Sequence, residues 1–156
     1  MKLYLLRHAD AVAEDRDLAD RDRYLSSRGR EMCRVVARLL REQSVELDAV
    51  VTSPLARAVQ TAELVASGID YLGLIEAMPA LTPGCHPRLA AEAIVARGDA
   101  VLIVGHEPTI SHLGGFLLGR PGFPQFRTGQ LYAVEDARPT WTARADVAQV
   151  EAYNVA

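Results

Sequence analysis

The chain has 156 residues, 49% of them apolar and 24% charged, with a formal net charge of −3. That is enough chain for one domain, residues 1–156, with a core of its own, and the composition excludes global disorder. The acidic balance argues against a nucleic-acid partner, which calls for a basic stripe.

No apolar run reaches the roughly 18 residues of a bilayer span, and no leader pattern opens the chain. The two cysteines, Cys33 and Cys85, form neither a CxxC pair nor a disulfide framework. A monomeric, cytoplasmic protein with free thiols and no membrane contact is expected.

The continuous apolar run Leu3 to Leu6 predicts a short central strand covered on both faces. It ends on Arg7 and His8, residue types poorly suited to a dry core. The segment from Glu14 to Arg23 holds five acids and three arginines and almost nothing to bury. It reads as a solvated loop, with a lid over a pocket as the alternative.

Ser26 or Ser27 can cap a helix whose Met32, Val35, Val36, Leu39 and Leu40 recur on one face. Leu47 to Thr52 reads as a second strand. Ser53-Pro54 then predicts a helix start, serine as cap and proline in the first turn, for a helix from Leu55 to about Ala66 ended by Gly68.

A weak strand is expected at Leu72 to Ile75, a loop at Pro79 to Pro87 and a helix at Arg88 to Ala96. Asp99 to Gly105 is the clearest strand. His106-Glu-Pro108 follows at once, and Ile110, Leu113 and Leu117 carry the next helix. After a loop from Gly119 to Gln125, Gln130 to Val134 and Thr140 to Ala145 alternate like an antiparallel pair.

Strands alternating with helices predict an α/β fold: a three-layer α/β/α sandwich on a mostly parallel sheet, with an antiparallel hairpin at one edge. Ligands of such sheets bind beyond the carboxyl ends of the strands. Arg7, His8, Ser53, Arg57 and His106 all fall there. Each alone has an ordinary structural explanation, but cationic and imidazole groups gathered at one sheet edge call for a balancing anion. Arginine suits phosphate because its planar fork donates two parallel hydrogen bonds, and Arg57 lies in a first helical turn, which also favours anions. Neighbouring arginines favour the neutral form of His8, leaving a lone pair for attack on phosphorus.

Leu6-Arg7-His8-Ala9, the segment Ser53-Pro-Leu-Ala-Arg-Ala-Val-Gln-Thr-Ala-Glu63 and Val104-Gly-His-Glu-Pro108 together resemble the three motifs of the histidine phosphatase superfamily, the phosphoglycerate mutase-like group. The resemblance implies that His8 is a nucleophile that becomes phosphorylated. It implies further that Arg7 and Arg57 bind the phosphoryl oxygens, that His106 completes the pocket, that phosphate or sulfate can occupy it, and that no cofactor or metal is required. Ser53 is expected among the substrate-binding groups.

Two departures stand out. Ala9 replaces the usual motif glycine, which would crowd the pocket if the backbone there had positive φ or approached phosphate closely. The stretch Ala77 to Gly84 carries no carboxylate where many ester-cleaving members have a glutamate acid. Expelling an alkoxide without a proton donor is slow, whereas imidazole leaves readily.

The chain therefore resembles the SixA-type phosphohistidine phosphatases. This implies a phosphohistidine-bearing protein, such as a histidine phosphotransfer domain, as substrate. The alternatives are a small-molecule phosphomonoesterase, with Asp10 or Glu107 moving the proton, and a noncatalytic phosphate-binding module. His86 and His112 are expected to be structural or exposed, with His86 at a pocket rim as the alternative.

Overall fold

A computed structural model of the chain describes residues 1–153. Its strands are Lys2–Arg7 (β1), Ala49–Thr52 (β2), Ile75–Ala77 (β3), Ala100–Gly105 (β4), Gln130–Glu135 (β5), Arg138–Arg144 (β6) and Gln149–Ala152 (β7). Its α-helices are Ser27–Glu42 (α1), Ala56–Gly68 (α2), Pro87–Val95 (α3) and Thr109–Leu117 (α4).

The strands form one sheet in the order β3-β2-β4-β1-β5-β6-β7. The pairs from β3 to β1 are parallel; those from β1 to β7 are antiparallel. Central strand β4, and β1 between its charged ends Lys2 and Arg7, are apolar because helices cover both faces. Alternation sends Leu6 and Val104 toward Met32, Val36 and Leu40 of α1 and Ala62 and Val65 of α2. Leu5 and Ile103 face the other way, onto Ile94 of α3 and Ile110 and Leu113 of α4. The three-layer sandwich is thus present, each fully buried leucine contributing on the order of 2 kcal/mol. No helix among the described residues is long and apolar enough to cross a membrane.

Helix α1 starts as its sequence predicts, with Ser26 Oγ accepting from the Gly29 N–H at 3.0 Å. Elsewhere four expectations shift. Helix α2 starts after Leu55, which provides no side-chain cap, because the Ser53 hydroxyl is turned toward His106. Gly68 does not end α2 by a left-handed turn. It is the last helical residue, and a Cβ there would lie 2.4 Å from the Ala37 Cβ, so glycine serves close packing of α2 on α1.

Strand β3 begins only at Ile75, leaving Leu72 and Leu74 97% and 91% exposed. Their apolar character marks a loop tip rather than a strand. Finally, Gln149–Ala152 extends the expected edge hairpin into a three-stranded antiparallel meander. Its mostly exposed residues carry no clear alternation of burial.

Candidate active site

The sheet register explains why distant motifs meet. Arg7 of β1 pairs with Gly105 of β4, and Thr52 of β2 pairs with Val104. The residues that follow, His8, His106 and Ser53, therefore leave the sheet at nearly one level. Two further ladder bonds fix this exit: the His8 N–H donates to Gly105 O at 3.0 Å and the Ser53 N–H to Val104 O at 2.9 Å.

The two imidazoles lie with ring centroids 5.0 Å apart, and both are almost fully buried. His8 Nδ1 stands 2.8 Å from the Ala9 carbonyl oxygen, which can only accept. Nδ1 therefore carries the proton, and in the neutral ring Nε2 keeps its lone pair.

His106 Nε2 lies 2.7 Å from Ser53 Oγ, which also accepts from the Leu55 N–H at 3.3 Å. The serine hydroxyl has no other acceptor among the described residues, so it donates to Nε2. The hydrogen of the neutral His106 ring then sits on Nδ1, which is buried without a partner. Burial foremost, with Arg57 and Arg7 adding repulsion, lowers His8 to about 4. Burial and then His8 lower His106 to about 3. Both rings are neutral at physiological pH: one offers a lone pair and the other an N–H.

The guanidinium groups close the cavity, which has a volume of about 350 Å³. Arg7 Nη1 donates to Phe126 O at 2.7 Å, and Arg57 Nη1 donates to Asp20 O at 2.7 Å. Arg57 Nη2 reaches Asp20 Oδ2 at 3.3 Å. Yet Nε of both arginines is buried without a partner. Unmade hydrogen bonds at buried charged donors are costly, so a cluster of them marks a site built for an acceptor that comes and goes. Three such donors, the two Nε–H and His106 Nδ1–H, belong to side chains lining the same cavity as His8.

Thr61 joins the first two motifs. Its Oγ1 accepts from the Ala9 N–H at 3.1 Å and donates to Arg57 O at 2.7 Å. At the Ala9 departure φ is not positive, and the residue is 1% exposed in the core beside α1 and α2, outside the cavity lining.

The structure brings Arg7, His8, Arg57 and His106 together, with Asp10 and Glu107 on the wall. Ser53 is fully buried and outside the cavity lining, and its hydroxyl meets His106 Nε2. Asp10 Oδ2 is occupied by the Ser26 hydroxyl at 2.5 Å, beside the cap of α1. Glu107 Oε2 lies 3.1 Å from Ser111 Oγ, while its Oε1 is buried without a partner. Its carboxylate also acts on Arg7, pushing that guanidinium up against the lowering effect of burial.

Two charged lining residues escaped the sequence reading, Asp20 and Arg23, both from the polar segment after β1. Arg23 Nε donates to Val12 O at 2.7 Å and its Nη1 to Asp20 Oδ1 at 3.1 Å. Most of the segment is exposed, as a solvated loop would be, while Asp20 and Arg23 turn onto the cavity. The acid–arginine mixture was the only signal, and it named no partner.

His86 and His112 lie elsewhere. His86 Nδ1 accepts from the Arg88 N–H at 3.2 Å and caps α3. Both rings line a second, larger and mainly apolar groove of about 820 Å³ between α3, α4 and the loop from Gly119 to Gln125. Glu107 faces the smaller cavity, while the adjacent Pro108 and Ser111 line this groove.

Buried neutral imidazoles and unpaired guanidinium N–H groups at one sheet edge define a phosphate-handling site on an α/β sandwich. Residues 3–82 match the sequence model of the histidine phosphatase superfamily (branch 1), and the chain belongs to that superfamily.

Among its relatives is the phosphohistidine phosphatase SixA of Escherichia coli (strain K12), 31% identical over 138 residues, which cover 86% of this chain and 84% of that one. The structure of the protein histidine phosphatase SixA complexed with tungstate matches with a TM-score of 0.86 at 27% identity, over 96% of this chain and 100% of that one. A phosphoserine phosphatase of Entamoeba histolytica shares the phosphoglycerate mutase-like fold at a TM-score of 0.64 and 14% identity, over 89% of this chain and 93% of that one. This last is a likeness of fold alone.

Proposed function

We propose that the chain is a phosphohistidine phosphatase, working as a monomer in the cytoplasm on a histidine-phosphorylated signalling or phosphotransfer protein. The observation that carries this reading is the set of three unpaired buried donors beside an imidazole whose Nε2 lone pair is free. In the proposed reaction His8 Nε2 attacks phosphorus and takes the phosphoryl group. The Nε–H groups of Arg7 and Arg57 and the Nδ1–H of His106 hold the charge spread over its oxygens.

Tungstate is a tetrahedral oxyanion like phosphate, and its presence in the related SixA structure supports an anion in this cavity. The acid-free stretch from Ala77 to Gly84 supports a P–N rather than a P–O substrate, because imidazole leaves without help from an added proton. Two free thiols, Cys33 and Cys85, fit a reducing compartment.

Glu107 on the cavity wall favours a second reading, a phosphomonoesterase of the same superfamily. Phosphate release from a phosphorylated histidine phosphotransfer domain, compared with release from sugar phosphates, separates them. A kcat/KM preference of about 100-fold or more for the P–N substrate is expected, abolished in His8→Ala. A preference for the esters overturns the reading.

A further inference from the structure

Three carboxylates line the cavity, those of Asp10, Asp20 and Glu107, and their surroundings differ. Asp10 is engaged by Ser26, and Asp20 by Arg57 and Arg23. Glu107 alone among them has an oxygen that is both buried and unpartnered, Oε1, while Ser111 Oγ shares its one proton between Oε2 at 3.1 Å and the Pro108 carbonyl at 2.9 Å. A carboxylate on the cavity wall with one oxygen lightly engaged and the other unpartnered has acceptor capacity to spare.

Neither imidazole can fill that role. His8 is the group being freed, and the only free nitrogen of His106 already carries hydrogen.

We infer that Glu107 is the catalytic base of the second half-reaction, taking the proton from the water that hydrolyses phospho-His8. The inference rests on the phospho-His8 reading above. In this step the water oxygen forms a bond to phosphorus as the P–Nε2 bond breaks. The electron pair of that bond returns to Nε2, and one water proton passes to Glu107 Oε1. Because the Ala9 carbonyl keeps the proton on Nδ1, His8 leaves as a neutral imidazole, and the products are hydrogen phosphate and a protonated Glu107. That proton is afterwards lost to solvent. The first half-reaction makes no such demand, since the departing imidazole of the substrate can carry its own ring proton. Glu107 lies opposite in sense to the acid missing from Ala77 to Gly84: it serves the water and not the leaving group.

The test is Glu107→Gln, which keeps the shape and can still bond Ser111 but cannot accept the water proton. Phosphoramidate is the phosphoryl donor, and the phospho-enzyme is followed by intact-mass spectrometry at neutral pH after rapid mixing. Formation of phospho-His8 is expected to stay within about threefold of wild type, while its hydrolysis slows about 100-fold, so that the adduct accumulates. Glu107→Asp, which keeps the carboxylate, should restore part of the rate and guards against a folding defect.

Equal decay of the adduct in wild type and Glu107→Gln overturns the inference and leaves the phosphatase reading standing. A defect confined to adduct formation, growing with leaving-group basicity along a series of aryl phosphates, also overturns it, since that is the mark of a general acid. If no adduct forms in either protein with phosphoramidate or a phosphorylated histidine phosphotransfer domain, the underlying reading fails and this inference with it.

Discussion

The cavity at the ends of β1 and β4 and the groove between α3 and α4 are neighbours with opposite physics. The groove has more than twice the volume, about 820 Å³ against 350 Å³, and is mainly apolar. The cavity is small and polar, and among its lining atoms are four buried polar ones without partners: Nε of Arg7 and Arg57, Nδ1 of His106 and Oε1 of Glu107. Size and apolarity measure how much a surface can grip; unsatisfied buried donors measure what it is built to stabilise. Here the second measure locates the chemistry.

Replacing Arg57 attacks the contrast where it is strongest. Arg57→Ala removes a buried guanidinium and its unpaired Nε–H, and kcat/KM should fall about 1,000-fold. Arg57→Lys keeps the charge without the planar fork, so a loss of tenfold or more should persist. A lysine variant with wild-type kinetics would mean that charge alone suffices.

Protonation tests the cavity through stability. His8 at about 4 and His106 at about 3 both lie below the ordinary 6.5, so the unfolded chain binds protons that the native chain refuses. Their contribution is complete above pH 6.5 and is lost as pH falls through the folded values. At pH 5 the loss from His8 alone is about 2 kcal/mol. Urea melts of wild type and His8→Gln between about pH 7 and 5, above the carboxylate range, should show the shallower slope in the variant. Parallel slopes would mean that His8 titrates normally.

The smallest effect is expected in the groove. Phe116, 46% exposed and edge-on to His86, takes no part in the phosphate chemistry. Phe116→Ser should leave phosphoramidate turnover unchanged, because Phe116 lines the groove and not the cavity. A large fall in phosphoramidate turnover would show that groove and cavity are not separable.

Much of the cavity was legible because its motifs sit at strand ends. Apolar runs marked β1 and β4, and parallel register then forced His8 and His106 to one level. What stayed hidden depends on partners remote in sequence. Nothing local to Asp20 or Arg23 signals Arg57, 37 residues from Asp20. Ser53 followed by Pro54 has the form of a cap, but a buried imidazole 53 residues on claimed its hydroxyl. Strand β7 is mostly exposed at the sheet edge, so pairing rather than burial made it a strand.

Thr61 is buried and outside the cavity lining, yet through one hydroxyl it fastens the backbone just after His8 to that of Arg57. The segments that carry His8 and Arg57 therefore share a joint. A drift in either segment is passed to the other, so selection cannot tune them one at a time: a change tolerated in the first motif has to be answered in the second.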